Sequence, residues 1–338
     1  MSGVPRGTAV LVTGASGFLG SHVARSMAGK GFRVRAMARC PGDIQRLGEL
    51  GVEVVPGDLE DVPSLATAVA GQQLVVHTAG RVSDWGPREE FWSANVRGTA
   101  SLISACQSAG VERLVHLSSL TVLGLPRDGR VVDESAPVAV PARGDHYSES
   151  KAAGERLVMD AHGRCGLATT VIRPGAIWGP GDPSVVPRIV TLLRRGIMPA
   201  IEQGGNLLGL SHVENLAEGV VLVVGTPAAS GQLYHLTDGE EITARQAIDA
   251  LAEVIGVRPP RVSLPYWAVH SLAAVVEGAA RLLGRASPPF LTRYGVRFVA
   301  CNCRYDITKA RRELGYRPLV SFRQGITRLG LSASGAIG

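Results

Sequence analysis

The chain has 338 residues, 45% of them hydrophobic and 19% charged, with a formal net charge of +6. That composition excludes a disordered chain and leaves room for one large α/β domain with a smaller appended lobe. The positive excess reads as spread along the sequence rather than gathered in a run, so it gives no reason to invoke nucleic acid, although it favours anionic ligands and anionic membrane surfaces. Five cysteines, Cys40, Cys106, Cys165, Cys301 and Cys303, are odd in number and scattered, with no second pair to complete a zinc site. They read as reduced thiols of a cytoplasmic protein without a metal. No apolar leader precedes Thr8, so no secretory signal is expected.

The first element is the apolar run Thr8–Thr13, suited to a buried parallel strand. It enters Gly14-Ala-Ser-Gly17-Phe-Leu-Gly20, followed by a helical pattern through Val23 and Met27. Gly14 permits the tight turn, Gly17 lets the backbone approach a diphosphate, and Gly20 lets helix and strand pack closely. Gly14, Ser16, Gly17, Phe18, Leu19 and Gly20 thus form a cradle for a dinucleotide, whose diphosphate rests on the helix N-terminus.

A second strand, Phe32–Met37, ends in Ala38-Arg39. An NAD enzyme usually places an acid about twenty residues beyond the glycines to hold the ribose 2′-hydroxyl. Here the guanidinium of Arg39 would instead pair with a 2′-phosphate, which favours NADP(H) over NAD(H). Arg35 would assist only if its side chain faces the same way. Further strands are expected at 52–55, 73–77, 111–117 and 168–172, with a long helix over 91–109. Asp58, next to Leu59, is placed to accept from the adenine amino group. Thr78, Ala79 and Gly80 form a small-residue bend beside which a cofactor can lie. Strands alternating with helices over the first 175 residues predict a doubly wound parallel α/β sheet with right-handed crossovers. Ligands then collect at the C-terminal strand ends, where Thr13, His77, Ser118, Ser119 and Arg173 map.

Tyr147-Ser-Glu-Ser-Lys151 heads a helical pattern continued by Ala152, Ala153, Leu157, Val158 and Ala161. Four residues is about one helical turn, so the phenol and the ammonium share a face. A neighbouring cation stabilises a phenolate and makes a tyrosine usable as a general acid or base.

The ordered set Thr13-Gly-x-x-Gly-x-x-Gly20, Asp58-Leu59, Asn95, Ser119, Tyr147-x-x-x-Lys151 and Arg173-Pro174-Gly175 resembles an extended short-chain dehydrogenase/reductase with a Rossmann-type sheet. The likeness continues through Ser211-His-Val-Glu-Asn-Leu-Ala217, Gly231–His235 and Lys309–Pro318, so it covers nearly the whole chain. Val213-Glu-Asn215 and Pro288–Arg293, ahead of Tyr305–Lys309, are similar to the 3β-hydroxysteroid dehydrogenase group. That group includes 4α-carboxysterol 3-dehydrogenases and 2-alkyl-3-ketoalkanoate reductases. Arg39 departs from it, since several steroid members carry the acid that selects NAD.

The resemblance implies roles. Tyr147 exchanges a proton with the substrate oxygen while hydride moves at the nicotinamide. Lys151 depresses the Tyr147 pKa and bonds the nicotinamide ribose; Ser119, rather than its neighbour Ser118, holds the carbonyl oxygen; Asn95 anchors a water. Pro174 joins the cofactor contacts. Residues 1–178 form the dinucleotide domain and 179–338 mainly the substrate lobe, with elements around 205–240 returning to the main domain. Asp84, Trp85 and Trp178 would line a pocket for a flat apolar substrate, and His212 reads as structural. The apolar stretch 265–284 is expected to pack against the cap rather than lie in a membrane interface. Helices around 95–109 and 147–162 would pair two subunits, as in relatives.

The function expected is NAD(P)-dependent interconversion of a secondary alcohol and a ketone on a sterol, a steroid or a long-chain β-keto acid. Loss of carbon dioxide would follow where a carboxylate lies β to the new ketone. The rivals are a sugar-nucleotide epimerase or dehydratase, with tightly held NAD and a more polar cap, and a non-catalytic NAD(P)-sensing protein.

Overall fold

The apolar run that opens the chain becomes the centre of a sheet. In the computed structural model, which describes residues 6–40 and 45–330, β1 (Ala9–Thr13) lies between β2 (Arg33–Ala38) and β4 (Leu74–His77). β3 (Glu53–Pro56), β5 (Arg113–Leu117), β6 (Ala168–Pro174) and β7 (Leu233–Leu236) complete the order β7-β6-β5-β4-β1-β2-β3. Every pairing is parallel. The expected doubly wound sheet is therefore present, and its strand order reverses between β1 and β4, which opens a crevice at their C-terminal ends.

Period-two alternation divides the core. Val10 and Val12 of β1 pack on one face with α1 (Phe18–Gly29) and α5 (Val213–Gly225), through Val23, Met27, Leu216 and Val220. Leu11 points to the other face, against α2 (Val62–Val69), α3 (Gly98–Ser108) and α4 (His146–Asp160), through Leu65, Leu102 and Val158. Strands covered on both sides explain why they read as unbroken apolar runs. The helix expected over 91–109 is present, but Ser93–Arg97 winds as a π turn between Arg88–Trp92 and α3.

After Trp178 the chain builds a cap, returns for α5 and β7, and leaves again. Trp178 is packed there with Val186, Val190, Ile248, Leu251 and Ile326. A smaller apolar group joins α6 (Tyr266–Leu282) to α7 (Arg293–Val299) through Val269, Ala273 and Val296. All five cysteines are free thiols.

Two contacts fix the working edge. A methyl group at Gly20 would sit 2.2 Å from the Gly14 carbonyl oxygen and 2.7 Å from Thr78 Oγ1, so α1 can close on β1 only through a glycine. On the other side Arg173 of β6 grips Glu155 of α4, with Nε 3.0 Å from Oε2 and Nη2 2.5 Å from Oε1. Both side chains are buried, and Ser118 Oγ donates to Glu155 Oε2 at 2.6 Å. Gly20→Ala should lower unfolding free energy by about 1–3 kcal/mol through overpacking, read by chemical denaturation. Glu155→Gln should cost about 3–5 kcal/mol, because it strands the Arg173 charge in the interior; the same denaturation midpoints check it.

Candidate active site

Asp145 starts α4 by accepting the Ser148 amide at 3.0 Å, which sets Tyr147 in the first turn and Lys151 one turn on. The Ser119 side chain stands beside the Tyr147 phenol and, as a hydrogen-bonding neighbour, favours its ionised form. Ser119 follows β5 in an extended conformation and also accepts from Thr121 N at 3.2 Å and Thr121 Oγ1 at 3.0 Å. Lys151 Nζ donates to the Leu117 carbonyl at 2.5 Å. Ser118 turns the other way, to Glu155. Three successive residues at the end of β5 thus meet Lys151, Glu155 and Tyr147, all on one side of α4.

The electrostatics differ from the expectation that Lys151 depresses the phenol. Burial raises the Tyr147 pKa, opposed by the Ser119 bond and reinforced by the nearby Asp145 charge. Lys151 is itself lowered to about 8, by burial first, with Glu155 pulling it back up. Its ammonium donates to the Leu117 carbonyl, and the influence that lowers the phenol here is the neighbouring Ser119. His77 and His116, buried beneath, are held neutral by burial and by the Lys151 charge, His77 at about 3. His77 bridges Thr13 Oγ1 at 2.9 Å and Thr99 Oγ1 at 3.1 Å.

Asn95 is buried in the π turn. Its Oδ1 accepts from Arg81 N at 2.8 Å, and its Nδ2 donates to Arg81 O at 3.1 Å and Ser150 Oγ at 2.9 Å. Both ends of the amide are engaged. The side chain ties the loop after β4 to α4.

The crevice between β1 and β4 is shaped by absent side chains. Gly14 has φ +68°, and a methyl group on it would lie 2.7 Å from Ala79 N and Cα. Gly17 is exposed, and its missing side chain would meet only the Gly14 carbonyl, at 3.1 Å. It begins α1 with no side-chain cap and no acid in the first turn, so the leading N–H groups and the positive end of the dipole are left for an anion. Ser16 is exposed and Phe18 and Leu19 are half-buried beside it. Thr78 Oγ1 donates to Thr13 O at 2.6 Å, and Gly80 passes within reach of Asn95 and Lys151. These features fit a dinucleotide diphosphate.

At the outer end of the crevice, Asp58 is half-buried, with one carboxylate oxygen on Glu60 N at 3.1 Å, and Leu59 is buried against Gly98. Arg39 stands exposed just past β2 and makes no hydrogen bond or ion pair among the described residues. Arg35 faces elsewhere, 2.9 Å from Glu53 Oε2 and on the carbonyls of Ala68 and Ala70. It gives no assistance there. Pro174 is buried at the end of β6, in register with Leu236.

The residues expected to line a substrate pocket serve the cap. Trp178 is 3% exposed, and its Nε1 donates to Asp238 Oδ2 at 3.0 Å; it is a core residue. His212 packs edge-on against it and caps α5, and burial lowers its pKa to about 4. Asp84 Oδ2 accepts from Arg188 Nη1 at 2.7 Å and Thr292 Oγ1 at 2.5 Å. Trp85 Nε1 donates to the Arg285 carbonyl at 3.0 Å. Asp84 and Trp85 therefore fasten the β4 loop to the cap.

The residue beside the phenol that sequence reasoning missed is Tyr294, on α7. Its ring meets Tyr147 edge-on at 6.3 Å and stacks on Phe298 at 6.0 Å. Burial raises its pKa well above the ordinary tyrosine value, with the Thr121 side chain opposing the shift. Arg297 Nη1 lies 3.7 Å from Asp145 Oδ2, so the same helix clamps the start of α4. The signal was available: Tyr294 and Phe298, like Arg293 and Arg297, stand four apart behind the helix-starting Thr292. Among the described residues no group of three or more His, Cys, Asp or Glu could hold a metal ion.

Residues 11–266 match the model of the 3-beta hydroxysteroid dehydrogenase/isomerase family. The chain is 31% identical over 329 residues to a 2-alkyl-3-oxoalkanoate reductase of Shewanella oneidensis, covering 94% of this chain and 84% of that protein. It is 34% identical over 342 residues to the 3beta-hydroxysteroid-dehydrogenase/decarboxylase isoform 1 of Arabidopsis thaliana, covering 94% and 78%. A UDP-glucuronic acid 4-epimerase from Bacillus cereus, solved with NAD, superposes with a TM-score of 0.74 over 95% of this chain and 97% of that one. At 20% identity that likeness concerns the fold alone. With the sheet, the glycine crevice and the converging Ser119, Tyr147 and Lys151 already in place, the chain belongs to the 3-beta hydroxysteroid dehydrogenase/isomerase family, among the extended short-chain dehydrogenases/reductases.

Proposed function

We propose that the protein is an NAD(P)-dependent oxidoreductase that interconverts a ketone and a secondary alcohol on an apolar, lipid-like substrate of the sterol or long-chain β-keto acid class. The observation that carries this reading is the meeting of Ser119, Tyr147 and Lys151 at the mouth of the glycine-lined crevice. Residues 14–20 would hold the diphosphate, and Lys151, close to Gly80, would reach the nicotinamide ribose. When bound, the nicotinamide supplies or accepts hydride. Ser119 then holds the substrate oxygen, and Tyr147 passes its proton to that oxygen as it gains charge. A phenol whose pKa is raised by burial keeps its proton at neutral pH, which suits the reductive direction.

Tyr294 and Phe298 place an aromatic wall beside the reacting oxygen. Such a wall favours a flat apolar substrate over a sugar nucleotide. Arg39, free of protein partners among the described residues, supports NADP(H) as the preferred cofactor.

Three measurements test this. Oxidation of NADPH or NADH should follow addition of keto-sterols or long-chain β-keto acids and not of nucleotide sugars; turnover of nucleotide sugars alone would move the assignment to the epimerases. Tyr147→Phe should lose roughly 10²–10⁴-fold in kcat with cofactor affinity kept; an unchanged kcat would remove Tyr147 from the chemistry, and cofactor binding without turnover in the unaltered protein would leave only a cofactor sensor. Arg39→Glu should raise the NADPH KM about tenfold or more while NADH is far less affected.

The pH profile adds a fourth. The Lys151 ammonium is lost as pH rises through about 8, so kcat/KM for ketone reduction should be level below that value and fall above it. A limb only near ~10, the value for a free lysine, would remove Lys151 from the site's electrostatics.

A further inference from the structure

We propose that α6 docks the protein peripherally on an anionic lipid bilayer, with its outer apolar face set into the boundary between headgroups and acyl chains. The apolar stretch 265–284 was expected to pack against the cap. Only its inner face does so, through Val269, Ala273, Glu277 and Ala280. The outer face is bare: Trp267 is 71% exposed, Leu272 51%, Val275 69%, Leu282 91% and Leu283 78%. A tryptophan and two leucines that open on one helix are unusual for a surface facing only water. They form an amphipathic helix inverted in sense, apolar outward, with tryptophan at one end as interfacial helices carry it.

Charge identifies what the face meets. Residues 255–305 contain seven arginines, Arg258, Arg261, Arg281, Arg285, Arg293, Arg297 and Arg304, and a single acid, Glu277, a formal +6. The whole chain carries +6, so its excess is concentrated here rather than spread along the sequence as composition suggested. Glu277 is buried and spent on Arg293 and Arg281, with Arg293 Nε 2.8 Å from Oε2. Arg258 and Arg261 are exposed ahead of the helix, and Arg281 and Arg285 at its far end. An apolar strip with arginines at both ends and no exposed acid within residues 255–305, the nearby Glu202 at Tyr266 being paired with Arg127, complements an anionic bilayer. A second copy of the chain is a poor fit, since a two-fold pairing of this face would set arginine against arginine with nothing to neutralise them.

The helix has 17 residues, about 25 Å of rise, and no helix of the described residues is long and apolar enough to cross a membrane, so the contact is one of lying on the surface. It also borders the site. Glu277 holds Arg293, whose neighbour Tyr294 faces Tyr147. Docking does not require turnover, so its test is independent of the redox reading.

The full chain is sedimented with sucrose-loaded vesicles of phosphatidylcholine alone or with one-third phosphatidylglycerol. Binding is expected to the anionic vesicles, to weaken with added salt, and to move tryptophan emission to the blue; Trp267→Phe should remove most of that shift. Val275→Glu with Leu282→Glu should weaken binding at least about tenfold. Arg261→Gln and Arg285→Gln, which leave the apolar face intact, should each weaken it several-fold. Unchanged cofactor binding by the variants shows that they fold. No sedimentation with anionic vesicles, or sedimentation indifferent to all four substitutions, overturns the proposal. So does a dimer in light scattering that the glutamate variants split, which would assign the face to a second copy.

Discussion

Everything at the site depends on how α4 is seated on the end of β5. Tyr147, Lys151 and Glu155 follow one another at four-residue steps along the helix, and the three residues Leu117, Ser118 and Ser119 each take one of them. The buried pair between Glu155 and Arg173 anchors this seam. Such a pair adds little net stability against an apolar substitute, because removing both charges from water costs about as much as their attraction returns. Its value is positional. A rotation or slip of α4 would separate Glu155 from Arg173 and, with it, Lys151 from the Leu117 carbonyl and the phenol from Ser119. The penalty for a misplaced helix is thereby made large, while the contribution to overall stability stays small.

That arrangement explains what the sequence could and could not disclose. Strand positions, the glycine loop and the Tyr147–Lys151 spacing are local facts, fixed by periods of two and 3.6 residues and by turn chemistry, and they were legible. The choice of Ser119 over Ser118 was reachable only through family likeness, since both stand at the same strand end. What separates them is Glu155, 36 or more residues away in the chain. Arg35 and Arg39 looked alike on paper; pairing of Arg35 with Glu53 across β3 turned one of them from the crevice. The π turn at Ser93–Arg97 has no period of its own in the sequence, and it is imposed by Asn95 reaching both the Arg81 backbone and Ser150.

The cap was the least legible part for a related reason. Trp85 and Trp178 were both candidates for a pocket because large aromatics suit apolar ligands, yet each has its indole N–H satisfied by protein. A tryptophan whose polar atom is paired and whose ring is buried serves packing. Tyr294 shows the opposite outcome from a less conspicuous segment. It comes to Tyr147 only because Thr292 starts α7, Arg297 reaches Asp145 and Glu277 holds Arg293. Long-range ion pairs decide which aromatic faces the phenol, and no window of sequence contains both halves of them.

Burial also decides the proton inventory. Around Lys151 the nearby histidines His77 and His116 are pushed to the neutral form, so they place no second cation beside the lysine. Glu155 supports the ammonium from one side, and the Leu117 carbonyl receives it on another. Meanwhile Asp145 and burial both favour the neutral phenol of Tyr147, with Ser119 alone pulling toward the phenolate. The resting site therefore holds one weakly acidic ammonium and one protonated phenol in a region poor in water. A positively charged nicotinamide ring brought against this pair would favour the phenolate, and a neutral reduced ring would not. On the proposed function, the charge of a bound ring would thereby match the proton on Tyr147 to the direction of the reaction.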